Sequence, residues 1–306
     1  MSNTPKIAFL YPGQGAVPEK PLADLYGAEV RALYGAVRSG ACPAYDDFHQ
    51  AAIASDLSAQ LGVFCLSHCL AEILKQNGVR PALVTGYSSG LYGAMAGCGC
   101  LSPAQGMTAI CHAYKRIAAD TKAHSFVMVA VIGLPLAELH QELARLSGPN
   151  WLSLINNKSQ TIVSITRAEL ASFAAACLDA GALRVVELPF EYPYHGEPLK
   201  AASGSLLALF KAMPLAAPQT PIIAGSSPVY INGSAQEVAT QVAGQLWQTV
   251  HWHDTIAELI GRDIDIFVVL DPTSALTRII RWLNRSIRTM GIASLTDLKK
   301  VSASLS

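Results

Sequence analysis

The chain of 306 residues is long enough for one or two domains. Apolar residues make up 51% of it and charged residues 14%, which excludes an intrinsically disordered protein. Its 22 basic and 22 acidic residues balance, so no overall positive charge favours nucleic acid or a membrane surface as a partner, and the most apolar stretch, residues 126–137, is too short to span a bilayer.

The first third of the chain reads as alternating strands and helices. Residues 7–11 are an uninterrupted apolar run that ends at Pro12-Gly13, which predicts a buried strand. Periodicity and turn residues predict four further elements before residue 124: a helix over 58–77, a strand over 82–85, a helix rich in small residues after Gly90, and a helix over 103–120.

The predicted strands and helices of residues 124–190 follow a different order, which indicates a small inserted unit. The expected elements are a strand over 127–131, a helix over 136–146, strands over 151–155 and 161–165, a helix over 168–180 and a strand over 184–188. This β-α-β-β-α-β order is typical of a ferredoxin-like subdomain. We therefore expect an α/β body formed by residues 1–123 and 191–306, interrupted by this subdomain.

After the insertion the chain returns to the pattern of the body. We expect a helix over 195–212, a strand over 221–224, a helix over 237–248, a strand over 264–270 and a helix over 274–283. The strand over 264–270 is almost wholly apolar, as expected at the centre of a parallel sheet.

A candidate nucleophile lies in the turn Gly86–Gly90, whose sequence GYSSG fits the pattern G-x-S-x-G. Between a strand and a helix, this pattern places a serine on a tight turn, where the next backbone N–H can help to hold an oxyanion. The turn predicts that Ser88 is a nucleophile, although a glycine-rich turn with two incidental serines would have the same sequence.

Ser88 would need a base, and His195 is the best placed of the eight histidines. It lies in a turn that follows the inserted unit and precedes a helix, so it can project into a cleft between the two units. A helix-capping role is the alternative interpretation.

Cysteines and histidines give little support for a metal site. The pair Cys98 and Cys100 has no second ligand pair, and His251 and His253, taken as an i, i+2 pair on an extended segment, have no third ligand in view. The seven cysteines lie mostly in apolar surroundings, which is typical of reduced thiols and predicts a cytoplasmic protein.

Four segments, in this order, resemble the malonyl-CoA:acyl carrier protein transacylase family, which includes acyltransferase domains of polyketide synthases. They are Pro12–Gly15 (PGQG), Gly86–Gly90, His195, which follows Ser88 by 107 residues, and residues 245–252 (QLWQTVHW). The resemblance covers nearly the whole chain. It implies an α/β-hydrolase-like body with a mostly parallel sheet, a ferredoxin-like insertion and a monomeric enzyme of fatty acid or polyketide biosynthesis.

The resemblance also implies a mechanism that needs no bound cofactor or metal. Ser88, with His195 as its base, would take the acyl group of an acyl-CoA and pass it to the phosphopantetheine thiol of an acyl carrier protein. The backbone N–H groups of Gln14 and Ser89 would hold the oxyanion, and a main-chain carbonyl near Gln245 would orient His195.

Departures from the family pattern bear on the acyl group. Tyr87 replaces the usual histidine and is similar to the transacylase subunit of malonate decarboxylase, while Leu91 replaces a glutamate. Counted without gaps, Ala113 takes the place of the arginine that binds the malonyl carboxylate. Either the acyl group has no second carboxylate, or Arg116, three residues further along the helix, substitutes for that arginine.

Tyr194, directly before His195, adds bulk that implies a small unbranched acyl group. Two rival functions remain open at this point: an acyl-carrier thioester hydrolase that uses the same Ser88–His195 pair, and a non-catalytic module that binds a carrier protein.

Overall fold

The structure is a computed structural model that describes residues 5–14, 26–39 and 56–306. Within these ranges the strands are β1 (Ile7–Tyr11), β2 (Leu83–Gly86), β3 (Phe126–Ile132), β4 (Trp151–Asn157), β5 (Gln160–Thr166), β6 (Arg184–Leu188), β7 (Ile222–Ala224), β8 (Val229–Ile231), β9 (Val250–His251), β10 (Ile266–Val269) and β11 (Arg288–Gly291). The α-helices are α1 (Gly27–Ser39), α2 (Asp56–Gln76), α3 (Gly90–Gly97), α4 (Pro103–Asp120), α5 (Leu136–Ala144), α6 (Leu170–Asp179), α7 (Lys200–Ala212), α8 (Ala235–Gly244), α9 (Trp252–Gly261), α10 (Ala275–Leu283) and α11 (Leu295–Leu305).

The larger sheet has six strands in the order β11-β10-β1-β2-β7-β8. All neighbouring pairs are parallel except β7 and β8. Along the central strand β1, Phe9 and Tyr11 pack into one apolar cluster with α2, α3 and α4, whereas Ala8 and Leu10 pack into another with α9 and α10. Successive side chains of a strand point to opposite faces, so helices cover both faces and every residue of β1 is buried.

Helix α2 is the core helix of this body. By length and composition it is the one helix of the described residues that could cross a bilayer, but 83% of its most apolar 18-residue window is buried inside the protein. Its apolar surface is therefore used for packing.

The smaller sheet has five strands in the order β6-β3-β5-β4-β9. Alternate side chains of β3 separate its two faces. Val127 and Val129 pack with α5 and α6, while Met128 and Ala130 face Tyr87 and other residues near the Gly86–Gly90 turn. One face of the smaller sheet thus closes over the edge of the larger sheet where β2 ends.

The described chain is an α/β fold with one mostly parallel and one mostly antiparallel sheet, as the sequence predicts. The β-α-β-β-α-β order over residues 126–188 is confirmed. One strand of the smaller sheet was not expected. β9 comes from beyond residue 190 and pairs parallel with β4.

The expectation of an extended segment around both His251 and His253 was wrong. The strand β9 ends at His251, and α9 begins at Trp252. Asp254 lies in the first turn of α9, and Ile256 and Leu259 turn toward the core, which is the pattern of an amphipathic helix.

Candidate active site

The turn between β2 and α3 has the geometry of a nucleophile turn. Ser88 has φ of 54°, in the left-handed region that non-glycine residues rarely adopt. A Cβ on Gly86 would lie 2.2 Å from the carbonyl carbon of Gly90, and one on Gly90 would lie 2.2 Å from the Tyr11 carbonyl oxygen. Glycine is required at both positions because β1, β2 and α3 approach each other at this point.

The structure brings Ser88 and His195 together although they lie 107 residues apart in the chain. Ser88 Oγ lies 2.7 Å from His195 Nε2, and His195 Nδ1 lies 2.7 Å from the main-chain oxygen of Gln245. A carbonyl oxygen can only accept, so Nδ1 must carry the proton. Nε2 is then the free acceptor for the Ser88 hydroxyl proton, as a general base requires.

Burial keeps His195 in its neutral form. The side chain is 3% exposed, and the loss of solvation lowers its pKa from 6.5 to about 4, while the hydrogen bond to Gln245 acts in the opposite direction. At neutral pH the imidazole is uncharged and able to accept a proton.

Gln245 is linked to both members of this pair. Its main-chain oxygen accepts from His195, and its side-chain Nε2 donates to the main-chain oxygen of Ser88 at 3.1 Å. The residue lies just after α8, where the chain turns toward β9. One residue therefore fixes the imidazole and supports the strained turn that carries the serine.

The backbone donors predicted to hold an oxyanion lie at the same place. Gln14 follows β1, and its backbone N–H donates to Ser89 Oγ at 3.0 Å. The Ser89 hydroxyl therefore takes up a donor that an oxyanion would need. The final glycine of the PGQG segment, Gly15, lies outside the described residues.

A cavity of about 60 Å³ opens beside Ser88. Its polar lining is formed by Gln14, Gln60, Ser88, Ser89, His195 and Gln245. Its remaining lining is formed by Tyr87, Tyr92, Ala113, Ile117, Met128, Leu154, Ile162, Phe190, Tyr194 and Leu246. The larger sheet and its helices supply the reactive end, and β3, β4 and β5 of the smaller sheet close the apolar side.

Three of the five residues expected at the acyl group line this cavity: Tyr87, Ala113 and Tyr194. The other two, Leu91 and Arg116, do not line it. Leu91 turns into the main apolar core and is 2% exposed. The side chain of Arg116 is 43% exposed and pairs with Asp120 at 3.6 Å.

A buried polar network behind Gln14 and Tyr194 was missed by the sequence analysis. Asp56, 2% exposed, accepts from the side chain of Gln14 and, at 2.8 Å each, from the Tyr194 hydroxyl and the Glu191 backbone N–H. Burial raises the pKa of Asp56, and the donated hydrogen bonds oppose that rise. The available signal was the polar pair Asp56 and Gln60, one turn apart at the start of a mostly apolar helix.

No metal centre is found in the part of the chain that the structure describes. There, no three His, Cys, Asp or Glu side chains converge in a way that could hold an ion. Cys98 and Cys100 contact each other with 3.3 Å between sulfur atoms, and His251 and His253 both lie near Asp254.

Comparison with known proteins fits this geometry. Residues 52–299 match the family described as the acyl transferase domain. The chain belongs to this family. The malonyl CoA-acyl carrier protein transacylase of Bacillus subtilis (strain 168) is 24% identical to this acyl transferase domain over 299 residues, which cover 94% of this chain and 93% of the relative.

Two solved structures illustrate the likeness in fold. The malonyl-CoA:acyl carrier protein transacylase of Xanthomonas oryzae pv. oryzae has a TM-score of 0.88 at 21% identity and covers 99% of both chains. A malonyl-transacylase in complex with its type II PKS acyl-carrier protein has a TM-score of 0.81 at 18% identity, over 98% of this chain and 99% of the other.

Proposed function

We propose that this acyl transferase moves an acyl group from a CoA thioester to the phosphopantetheine thiol of an acyl carrier protein. The observation that carries the proposal is the 2.7 Å contact between Ser88 Oγ and His195 Nε2, with Nδ1 held by a main-chain carbonyl. The names of the similar transacylases support a carrier protein as the acceptor.

The first half-reaction forms an ester on Ser88. His195 Nε2 takes the hydroxyl proton while Ser88 Oγ attacks the thioester carbonyl carbon. The backbone N–H groups of Gln14 and Ser89 stabilise the tetrahedral oxyanion once the Ser89 hydroxyl has turned away. Collapse of the intermediate breaks the carbon–sulfur bond, and CoA leaves with the proton held by His195.

The second half-reaction repeats these steps with a different nucleophile. The carrier thiol gives its proton to His195 and attacks the ester carbonyl carbon. Collapse of the second intermediate returns the proton to Ser88 Oγ and leaves the acyl group on the carrier as a thioester. Acyl-CoA is thus a substrate in this scheme, with no role for a resident cofactor.

The hydrolase alternative is not favoured by the family or by the names of its similar members. A non-catalytic role is disfavoured by the contact between Ser88 and His195, because a binding module has no need of a strained serine beside a buried neutral imidazole.

Intact-protein mass spectrometry tests the proposal. Brief incubation with an acyl-CoA should add one acyl group to the wild type and none to Ser88→Ala. A chase with phosphopantetheinylated carrier protein should move the mass to the carrier, and carrier that lacks the phosphopantetheine arm is the matched control. Release of free acid without acylated carrier would contradict acyl transfer.

We also propose that residues 1–123 and 191–306 form an α/β-hydrolase-like body and residues 124–190 a ferredoxin-like subdomain. The strand order β6-β3-β5-β4, with two helices on one face, supports this division. The six described cysteines are buried, which supports a cytoplasmic location, and we propose a monomer.

A further inference from the structure

The described part of the wall of the cavity beside Ser88 offers no positive charge to an acyl group. Of the described residues that line it, none is lysine or arginine, and His195 is held neutral by burial. The side opposite the reactive serine is built from apolar side chains of α4 and the smaller sheet, among them Ala113, Ile117 and Leu154. A free carboxylate placed there would be buried without a cationic partner, which is strongly unfavourable.

The arginine nearest to Ala113 along α4 does not correct this. Arg116 lies outside the cavity lining and its guanidinium pairs with Asp120. To reach a carboxylate in the cavity it would have to leave that partner.

The amide groups of Gln60 and Gln14 at the cavity donate hydrogen bonds within the protein. Gln60 Nε2 donates to the side-chain oxygen of Gln14 at 3.1 Å and to the Tyr194 hydroxyl at 3.2 Å, which accounts for both of its amide hydrogens. The side-chain nitrogen of Gln14 donates to Asp56. The Tyr92 hydroxyl, which also lines the cavity and has no hydrogen-bond partner, is a neutral donor and supplies no positive charge to balance a carboxylate.

The charge behind the wall has the wrong sign for a dicarboxylic substrate. Asp56 lies one side chain away from the cavity, in contact with the lining residues Gln14 and Tyr194. Both of its oxygens accept hydrogen bonds, which is the pattern of an ionised carboxylate. In a buried site, two like charges at this separation repel each other.

Size restricts the acyl group further. The cavity of about 60 Å³ is small, which favours a short acyl chain. A short straight chain fits this space, whereas a branched chain meets Tyr194 and Phe190 on the same wall.

We propose that the acyl group carried by Ser88 is uncharged and short, a straight monocarboxylic acyl group such as acetyl or butyryl, and that a dicarboxylic acyl group such as malonyl is rejected. This inference rests on the proposed function, because it specifies the substrate of the same acyl-enzyme.

A competition experiment tests the inference. Equal concentrations of acetyl-CoA, butyryl-CoA and malonyl-CoA are mixed briefly with the wild type, the three adducts on Ser88 are separated by mass, and free CoA is measured in parallel. We expect acetyl and butyryl adducts to form about 100-fold faster than the malonyl adduct, as for a buried charge left without a partner. A preference below tenfold would overturn the inference and leave the proposed function intact.

The same experiment separates the two levels of the argument. If neither an adduct nor free CoA appears with any thioester, the proposed function fails and the substrate inference falls with it.

A substitution in the cavity wall should reverse the selectivity between malonyl-CoA and the uncharged thioesters. Ala113→Arg places a cation in the cavity wall and should raise malonyl loading at least tenfold, whereas Ala113→Met, of similar length without charge, should not. The wild-type competition decides the question if Ala113→Arg does not fold.

Discussion

Acidification should stop acylation of Ser88 at an unusually low pH, because the proton acceptor is a buried histidine. The pKa of His195 is lowered from 6.5 to about 4 by loss of solvation. The imidazole therefore stays neutral down to about pH 5. We expect the rate constant for acylation to be flat from pH 8 to pH 5 and to fall about tenfold per pH unit below about pH 4.

The lowered pKa of His195 must also make the free energy of unfolding depend on pH. The unfolded chain has a histidine with an ordinary pKa, so between pH 6.5 and about 4 the unfolded state binds a proton that the folded state does not. The stabilising contribution of the neutral His195 is fully present above pH 6.5 and is lost as the pH falls. At about 1.4 kcal/mol per pH unit, the loss between pH 7 and pH 5 is about 2 kcal/mol.

Urea unfolding at pH 7 and pH 5 measures this loss, with His195→Asn as the matched control that cannot be protonated. The free energy of unfolding of the wild type should fall by about 2 kcal/mol more than that of the variant. The other histidines cancel in this difference because both proteins contain them. An acylation profile with a midpoint near pH 6.5, or equal pH dependence of the two stabilities, would refute the argument from burial.

Two further substitutions test how the reactive pair is supported. Gln245→Ala keeps the main-chain oxygen that orients His195 but removes the side-chain hydrogen bond to Ser88. In rapid-quench measurements it should slow acylation by roughly fivefold to tenfold, equivalent to about 1 kcal/mol. An unchanged rate would mean that this hydrogen bond does not hold the turn. Ser89→Ala frees the Gln14 backbone N–H and should leave acylation unchanged or raise it up to about fivefold. A tenfold loss after Ser89→Ala would assign the hydroxyl a direct part in catalysis.

The elements with strong local signals were predictable from the sequence. The bounds expected for α4 coincide with those observed, because Ser102 and Gln105 form a reciprocal capping box and Pro103 occupies the first turn. The apolar run of β1 was confirmed for a related reason. It is buried on both faces, so every side chain carries the same signal.

Short strands that depend on distant partners were missed. β9 has only two residues, and β8 has three, too few for a repeating pattern. Their extended conformation comes from pairing with β4 and β7, which no local sequence window contains. The smaller sheet therefore gained an unexpected fifth strand from the body.

In the candidate site, too, some residues were predictable from the sequence and others were not. Ser88 was predicted because a strained turn and its flanking glycines leave a recognisable motif. His195 was predicted from its position in a turn after the inserted unit, and Gln245 was implied only by the family resemblance. The partners Asp56 and Gln60 were not found. Their side chains meet the site only after α2 has packed against the sheet, and nothing in their local sequence says which polar residue of a buried helix is satisfied by which neighbour.

Backbone geometry and side chains have separate roles in this site. The reactive pair depends on backbone geometry, since Ser88 and His195 both have φ near 60° and are tied to main-chain atoms. The acyl-binding wall depends on side chains of α4 and the smaller sheet, such as Ala113 and Leu154, which take no part in that geometry. A change of one wall residue can therefore alter the acyl group without disturbing the chemistry. For this reason a single alanine in α4 says more about the substrate than the whole of the catalytic motif.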